Sequence, residues 1–397
     1  MKLESESLTV DHISPVEEKE TTPKTQKKRT RLNKREFTLI LDGGRSQIKA
    51  LSIVDGEVKD VFVIDSTIAR VEEPPFGELG AFSLSRAKVE NEGKRTDVVE
   101  HWVVGASARL QGTEYISMSD GEDHKILYFP ILAMGAIASM PNLYELSTGQ
   151  SEKNRSLRIR LITLSLANPV GLMRGVTQCR WIRVDGVKYT LSFTKDAMNY
   201  PEGYGAALYG RGSGGYERPT LYTFDIGFGT ACVSEYSNLG RVPKRVAYKP
   251  NGGGGIATLI REFSESVANA DSSRLIKPSQ LREILQTATI HDGKVTAIAP
   301  DGRDVGDALK NAIHAWITDS PLTFAIESLS LQARRHPVVL CGGGFAIPPV
   351  RELVKSALLR AGVPEENLLE VEEPGVLALR EMKKIYEGQG HGEEEAY

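Results

Sequence analysis

Two similar segments, one near the start of the chain and one past its middle, constrain the fold more than any other feature. They are Leu41-Asp42-Gly43-Gly44-Arg45-Ser46 and Phe224-Asp225-Ile226-Gly227-Phe228-Gly229-Thr230. In each, an apolar strand pattern reaches an aspartate, a glycine-containing turn follows, and a second strand pattern leaves the turn. Such a turn presents backbone N–H groups to a phosphate, and the carboxylate can hold a cation or its waters. Two of these hairpins facing each other would bind a nucleoside triphosphate.

The residues after each turn extend this similarity. Gln47 to Val54 is a strand pattern, and Val58 to Val63 reads as a third strand. In the second segment, Ala231 to Tyr236 is a strand pattern, and Arg241 to Tyr248 follows it. Each half therefore predicts a meander of three antiparallel strands. A single Asp-Gly turn would indicate only an ordinary hairpin, but a matched pair about one domain length apart indicates a duplication.

Two further glycine clusters precede predicted helices. Gly342-Gly343-Gly344-Phe345 follows a buried-strand pattern over His336 to Cys341 and precedes a helical pattern over Val350 to Ala361. Asn251 to Gly255 precedes an amphipathic pattern over Ile256 to Phe263. Backbone without side chains lets a flat ring lie directly on it. The alternatives are a tightly packed strand-to-helix turn for the first cluster and a flexible linker for the second.

The order of these elements resembles the actin, sugar kinase and heat-shock chaperone ATPase superfamily, and within it the bacterial actin-like ParM/StbA group of plasmid segregation proteins. The resemblance covers about residues 37–386. Lys125 to Ala138 is similar to a helix of the first domain in such proteins, and Tyr200-Pro201-Glu202-Gly203 resembles the family's Pro-Glu element. Glu373-Pro374-Gly375 and the helical pattern after it resemble the second crossing helix. Ala167-Asn168-Pro169 departs from the Gly-Leu-Pro stretch common in relatives.

The resemblance implies an α/β protein with the actin-like ATPase fold. Two duplicated domains would each contain a mixed central sheet with flanking helices, and the nucleotide would lie in the cleft between them. The expected parts are a disordered charged tail at 1–36, domain I at 37–202, a crossing helix and connector at 203–218, domain II at 219–372, a second crossing helix at 373–386 that returns to domain I, and a disordered acidic tail at 387–397.

The resemblance also implies a catalytic residue, a metal site and a phosphate-binding lysine. Glu202 would align a water with the γ-phosphate and accept its proton, although a helix-opening glutamate is a compatible alternative. Asp42 and Asp225 would hold Mg²⁺, mostly through its water ligands. Lys49 would direct its charge toward the β-phosphate, the alternative being a solvent-facing strand lysine.

The remaining expected contacts are made mainly by glycines. The expected phosphate contacts are Gly43, Gly44, Arg45, Ser46, Gly227, Phe228, Gly229 and Thr230, and the expected contacts to base and ribose are Gly253, Gly254, Gly342, Gly343, Gly344 and Phe345.

By the same resemblance, the protein is expected to be a slow NTPase that binds ATP or GTP with Mg²⁺ and assembles into a homopolymer filament. The default role is plasmid segregation through a small DNA-binding adaptor. Alternatives are the same filament used for cell shape or envelope organisation, a small-molecule kinase of the superfamily, and a filament protein that hydrolyses nucleotide poorly. A chaperone-type ATPase would need a substrate domain after the second crossing helix, which we do not expect here.

Composition excludes several other classes. The 397 residues are 40% hydrophobic, enough for two cores, and the net charge of −3 argues against a protein that generally coats nucleic acid. Direct sequence-specific DNA binding is not expected. Cys179, Cys232 and Cys341 lack the spacing of zinc ligands and predict buried thiols in a reducing compartment. No apolar run approaches the length of a bilayer span, and no signal-peptide core is present, so we expect a bacterial cytoplasmic protein.

The first 36 residues are poor in large apolar side chains, and their charge changes from acidic to basic midway. Acidic residues concentrate from Glu4 to Glu20, and basic residues concentrate from Lys24 to Arg35. Such a segment cannot bury enough surface to fold alone. It is either a solvated tail or an electrostatic contact for DNA, an acidic partner or an anionic membrane, and the membrane alternative would place the protein close to a bilayer.

Overall fold

A computed structural model provides the structure of the protein. It describes residues 36–59, 61–89, 95–112, 114–121, 123–149, 151–165, 169–195, 197–213, 218–270 and 276–389. Three sequence-based expectations lie outside these ranges: those for residues 1–35 of the N-terminal tail, for Ala167 and Asn168, and for residues 390–397 of the C-terminal tail.

The first half of the described chain forms a mixed sheet of twelve strands. The strands are β1 (Glu36–Gly43), β2 (Gln47–Val54), β3 (Glu57–Val58), β4 (Phe62–Asp65), β5 (Thr67–Arg70), β6 (Ala81–Val89), β7 (Arg95–Val104), β8 (Tyr115–Ser117), β9 (Asn154–Leu164), β10 (Cys179–Val184), β11 (Val187–Phe193) and β12 (Met198–Tyr200). Their order is β3-β2-β1-β9-β11-β10-β6-β7-β5-β8, with β4 also paired to β2 and β12 to β9. The helices of this half are α1 (His124–Leu127), α2 (Phe129–Ala138), α3 (Leu143–Leu146) and α4 (Pro169–Thr177).

Helix α5 (Tyr204–Gly212) precedes the second half. Its elements are β13 (Thr220–Ile226), β14 (Thr230–Ser237), β15 (Lys244–Gly252), α6 (Ile256–Ala270), α7 (Pro278–Thr287), β16 (Thr289–His291), β17 (Lys294–Thr296), α8 (Gly306–Thr318), α9 (Pro321–Ala333), β18 (Val338–Cys341), α10 (Pro348–Arg360), β19 (Leu368–Leu369) and α11 (Leu377–Gln389). Five of these described strands form a sheet in the order β15-β14-β13-β18-β19, and β16 and β17 form a separate hairpin.

The two sheets repeat one topology. β1 is antiparallel to β2 and parallel to β9, and β12 is parallel to β9. In the same way, β13 is antiparallel to β14 and parallel to β18, and β19 is parallel to β18. Helices occupy matching places, with α4 after β9 and α10 after β18, and then α5 after β12 and α11 after β19. The duplication predicted from the two Asp-Gly turns is present in the fold.

Apolar spacing explains how the helices pack. On α6, Ile256, Leu259, Phe263 and Val267 recur every three or four residues, so they share one face, and all are buried in the core of the second half. Helix α2 is apolar all round, and all of its side chains are buried in the core of the first half. Each half therefore has its own core.

A third core joins the two halves. It contains Ile40 of β1 and Val339 of β18, packed with Tyr204 of α5 and Met382 of α11. Helix α5 packs on β13 and β18 of the second sheet, and helix α11 packs on β1 and β2 of the first, so each helix follows one half of the chain and packs on the sheet of the other.

Two elements differ from the sequence prediction. The third strand of the first meander, expected over 58–63, is divided into β3 and β4, which pair with opposite ends of β2. Helix α11 extends to Gln389, beyond its expected end at Tyr386, because Gly388 lowers helix propensity by only about 1 kcal/mol and does not end the helix. Within the described ranges, no helix combines the length and apolarity needed to cross a bilayer.

Candidate functional site

A cavity of about 700 Å³ lies where the central parallel strands of both sheets end. Asp42 near the end of β1, Glu202 just after β12, Asp225 near the end of β13 and Gly342 just after β18 all line it. Ligands of α/β proteins commonly bind outside the carboxyl ends of parallel strands, and the volume suits a small-molecule site. The topology therefore brings residues from four distant parts of the sequence to one site.

Most of the residues predicted from the sequence reach this cavity. Those that line it are Asp42, Gly44, Arg45, Ser46, Lys49, Glu202, Asp225, Gly227, Phe228, Gly229, Thr230, Gly342, Gly343 and Gly344.

The first turn is tight and is held from outside the cavity. A Cβ added at Gly44 would lie 2.6 Å from the carbonyl oxygen of Gln47, so the hairpin requires glycine at this position. The hydroxyl of Ser66 donates to the carbonyl of Gly44 at 2.8 Å. Gly43 is not part of the cavity lining, and a Cβ there would lie 2.7 Å from the ring of Phe129. Gly43 therefore packs on the ring of Phe129, and its predicted phosphate contact stays a prediction.

The second turn rests on the start of helix α6. The N–H groups of Ile256 and Ala257 donate to the carbonyls of Gly227 and Phe228 at 3.1 and 2.8 Å. A Cβ at Gly255 would lie 2.5 Å from the Phe228 carbonyl oxygen, so the helix can approach the turn only with glycine there. The first N–H groups of α6 are thereby satisfied by the protein itself.

This packing corrects one part of the site prediction. Gly253 and Gly254 do not line the cavity. Gly253 instead donates its N–H to the carbonyl of Gly229 at 3.2 Å, and Gly254 lies against Ala231. The cluster supports the second turn from behind, so the predicted contacts of these two glycines to base and ribose are not supported.

The two turns face each other across the cavity. A Cβ added at Gly229 in the second turn would lie 2.6 Å from Nη1 of Arg45 and 2.9 Å from its Cδ. The arginine of the first turn therefore lies directly over the backbone of the second. Its guanidinium places a permanent positive charge between two glycine-containing turns.

Lys49 leaves the first turn on β2 and points into the cavity. Its ammonium donates to the carbonyl of Gly375, just before α11, at 2.5 Å. This contact excludes the alternative of a solvent-facing strand lysine. Residues 374–376 of the same turn also line the cavity, so Lys49 connects the first hairpin to the second crossing element.

Three carboxylates meet in the cavity, and their electrostatic effect is large. Burial, followed by the charges of Glu202 and Asp42, raises the pKa of Asp225 to about 7, while Lys49 and Lys125 partly oppose this. Glu202 forms an ion pair with Lys125. Burial alone would lower the pKa of Lys125, but attraction to Glu202 and their hydrogen bond outweigh it, and the net shift is upward.

This crowding fits a divalent cation. The proximity of Asp42 and Glu202 raises the free energy of ionised Asp225, and a bound cation would relieve that repulsion. Among the described residues, no group of three or more His, Cys, Asp or Glu side chains is arranged to hold a metal. A Mg²⁺ ion bound here would have few carboxylate ligands and would keep several of its waters.

The glycines of the Gly342-Gly343-Gly344 cluster have two different roles. Gly342 has φ 94°, and a Cβ there would lie 2.2 Å from Oδ1 of Asp225. A Cβ at Gly344 would lie 2.4 Å from Ile226, whereas nothing lies within 4 Å of the corresponding position at Gly343. Gly342 and Gly344 let the turn pack on β13, and Gly343 offers the open backbone surface on which a ring could lie.

Phe345 is a second correction. Its side chain is fully buried and packs edge-on against Phe224, with the ring centroids 5.6 Å apart. It does not line the cavity. The ring is packed in the core of the second half. The predicted contact of Phe345 to base or ribose is therefore not supported.

The sequence patterns did not identify several residues that line the cavity. They include Lys125, Arg282 and Gln286. Arg282 and Gln286 lie one turn apart on α7, and the guanidinium carbon of Arg282 is 5.6 Å from the ring centroid of Phe228. Their i, i+4 spacing on the polar face was the available signal. Lys125 had no local signal, because its partner Glu202 lies 77 residues away in the chain.

Comparison with known proteins agrees with the topology. No protein-family model matches the sequence, and no curated protein matches it. A 15-stranded ParM filament from Clostridium botulinum superposes with a TM-score of 0.58 at 14% identity, covering 89% of this chain and 99% of that one. The actin-like protein Alp7A gives a TM-score of 0.59 at 14% identity, with coverages of 90% and 99%. This chain has the actin-like fold.

The actin-like fold was the one expected from the sequence resemblance, and that expectation is confirmed. Bacillus thuringiensis ParM with ATP gives a TM-score of 0.59 at 11% identity, covering 90% of this chain and all of that one. The similarity therefore spans both halves of the chain and the crossing helices, not one half alone. At this identity it establishes the actin-like architecture, and the chemistry must be argued from the residues of this chain.

Proposed function

We propose that the protein is a nucleotide-driven, filament-forming actin-like protein that binds ATP or GTP with Mg²⁺ in the cavity and hydrolyses it slowly. One observation carries the proposal: Arg45 of the first turn lies over Gly229 of the second, at the edge where both sheets present an aspartate. Two phosphate-type turns contributed by opposite halves suit a polyphosphate better than a compact uncharged ligand.

Each group of the site has a place in this chemistry. Backbone N–H groups of both turns, with the guanidinium of Arg45, would bind the phosphates, and the open backbone at Gly343 would take the base. Asp42 and Asp225 would hold Mg²⁺ mostly through its waters, and the ion would neutralise phosphate charge. Glu202 would orient the attacking water and accept its proton.

Filament assembly follows from the two-part architecture. The cavity lining comes from both halves, so a bound triphosphate would favour one closed arrangement of the halves, and loss of the γ-phosphate would weaken it. Head-to-tail contacts between identical closed subunits need not close into a ring, and they then generate filaments. The ParM filament from Clostridium botulinum shows that this architecture can polymerise.

We assign plasmid or DNA segregation through a small DNA-binding adaptor as the default role, in the cytoplasm. The same filament used for cell shape or envelope organisation is the alternative, and the basic part of the N-terminal tail would then contact an anionic membrane or an acidic partner. An adjacent gene for a small DNA-binding protein with upstream repeats would favour segregation.

Sedimentation and phosphate release together test the proposal. The full chain is incubated with Mg²⁺ and ATP, GTP, ADP or GDP, and no phosphate acceptor is added. We expect polymer in the pellet and in negative-stain images with at least one triphosphate, with slow phosphate release. Asp42→Ala should abolish both. A protein that stays monomeric with every nucleotide over a range of concentrations and salts would refute the filament function, and phosphate release that needs an added acceptor would indicate a kinase.

A further inference from the structure

The ion pair between Lys125 and Glu202 lies inside the cavity. Lys125 belongs to the short helix α1, and Glu202 belongs to the turn between β12 and α5. The ammonium donates to Oε1 of Glu202, and the two side chains are 19% and 24% exposed. The pair therefore neutralises the Glu202 carboxylate, to which we assign the attacking water. One oxygen of this carboxylate already accepts a hydrogen bond.

The other cations among the described residues of the cavity lining are engaged differently, and Arg282 lies 5.6 Å from the ring centroid of Phe228. Lys49 donates to the carbonyl of Gly375, which is uncharged, and Arg45 lies against the backbone of Gly229. Lys125 lines the same cavity as Gly44, Arg45 and Ser46 of the first turn. The ammonium that pairs with Glu202 therefore belongs to the cavity in which the phosphates are proposed to bind.

A triphosphate would compete with Glu202 for this ammonium. A terminal phosphate carries more negative charge than a carboxylate, and a lysine ammonium on a flexible four-carbon stem can change partners without moving the backbone. A bound diphosphate lacks the γ-phosphate, so it would leave Lys125 paired with Glu202. The partner of Lys125 would therefore differ between the triphosphate state and the diphosphate state.

We propose that Lys125 is a γ-phosphate sensor, paired with Glu202 in the nucleotide-free and diphosphate states and transferred to the γ-phosphate in the triphosphate state. This inference rests on the proposed nucleotide-binding function. The transfer frees the Glu202 carboxylate to hold the attacking water only when a γ-phosphate is present. After phosphate leaves, the pair reforms and Glu202 is neutralised again. Lys125 is a positioning residue that also discriminates between nucleotides.

Nucleotide affinities of four full-length variants test this sensor. ATP or GTP, whichever the wild type prefers, and its diphosphate are titrated by calorimetry in the presence of Mg²⁺. Lys125→Met should lower the triphosphate-to-diphosphate affinity ratio about tenfold and leave diphosphate affinity within about threefold, because hydrogen bonds between charged groups are among the stronger ones. Lys125→Arg should restore the ratio. Lys59→Met, which removes the exposed Lys59–Glu57 ion pair, should change neither affinity.

Glu202→Gln provides an independent arm if Lys125→Met does not fold. Removal of the competing carboxylate charge should raise triphosphate affinity and leave diphosphate affinity unchanged. An unaltered ratio in Lys125→Met, equal wild-type affinities for both nucleotides, or unchanged triphosphate affinity in Glu202→Gln would overturn the sensor. These failures differ from failure of the proposed function itself, in which the wild type would bind no nucleotide.

Discussion

Gly205 of α5 lies against Ala378 of α11 so closely that a Cβ at position 205 would be 2.1 Å from the Ala378 carbonyl oxygen. The obstruction is backbone, which cannot rotate away as a side chain can. The two crossing helices therefore depend on this glycine for their separation. Because each helix follows one half of the chain and packs on the sheet of the other, their separation sets how the two halves meet.

Gly205→Ala should destabilise the protein by about 1–3 kcal/mol, the usual cost of overpacking, even though alanine is the better helix former by about 1 kcal/mol. Urea denaturation followed by circular dichroism measures the free energy of unfolding. Gly212→Ala on the same helix is the matched control, because the nearest atom to its Cβ would be Nζ of Lys384 at 3.5 Å. Gly212→Ala should leave the free energy of unfolding unchanged or raise it. An equal loss of stability in both variants would contradict the close packing of α5 on α11 at Gly205.

Phe345→Leu should lower stability without changing nucleotide affinity. The side chain is fully buried against Phe224, so a smaller side chain leaves a cavity and costs about 1–3 kcal/mol. Thermal unfolding and nucleotide titration at a temperature well below the melting point separate the two effects. Loss of affinity with stability retained would instead indicate that the ring reaches the base.

Local patterns predicted the turns, because a tight hairpin needs glycine where a Cβ would collide, as at Gly44 with the Gln47 carbonyl. They also predicted β2 over its full length, since its apolar residues mark a buried strand. They did not predict which way Phe345 faces, because an aromatic residue beside glycines suits a ring-binding site and a core equally. The Lys125–Glu202 pair joins α1 to the turn after β12 across 77 residues of sequence, so it depends on the assembled fold and not on a local pattern.

The thiols of Cys179, which is buried, and Cys232, which is half-buried, should react slowly and with a shifted pH dependence. Burial raises the pKa of Cys179 to about 12, and it also raises the pKa of Cys232 to about 12. Since the thiolate is the nucleophile, its fraction at pH 8 should be roughly 10³-fold below that of a free thiol with a pKa of about 8.5. Alkylation by iodoacetamide should thus remain slow in the native protein from pH 7 to 9.

Protein unfolded in urea supplies the control for the thiols. Its alkylation rate should rise with pH, reach half of its maximum near the free-thiol pKa of about 8.5, and level off about one pH unit higher. Mass spectrometry of peptides containing Cys179 and Cys232 gives the rate at each site. Fast native alkylation at pH 7 would contradict the burial of these thiols.

Glu202→Gln should slow phosphate release about 10²-fold or more, because the amide cannot accept the proton of the attacking water. Nucleotide-dependent polymer should still form and should last longer, since loss of the γ-phosphate is delayed. Phosphate release and sedimentation over time measure both effects. Glu73→Gln, at an exposed position outside the cavity, should leave both unchanged. Unaltered phosphate release in Glu202→Gln would remove Glu202 from its assigned role.

Gly229→Ala tests whether the facing turns bind phosphate together. The new Cβ would lie 2.6 Å from Nη1 of Arg45, so the guanidinium must leave its position over the second turn. Loss of one charged contact of this kind should weaken nucleotide binding about tenfold. Gly252→Ala is the matched control, because nothing lies within 4 Å of its Cβ and its φ is not positive. Titration of both variants with the same Mg-nucleotide makes the comparison. If both bind as tightly as the wild type, Arg45 does not hold the phosphates from that position, and the two turns act separately.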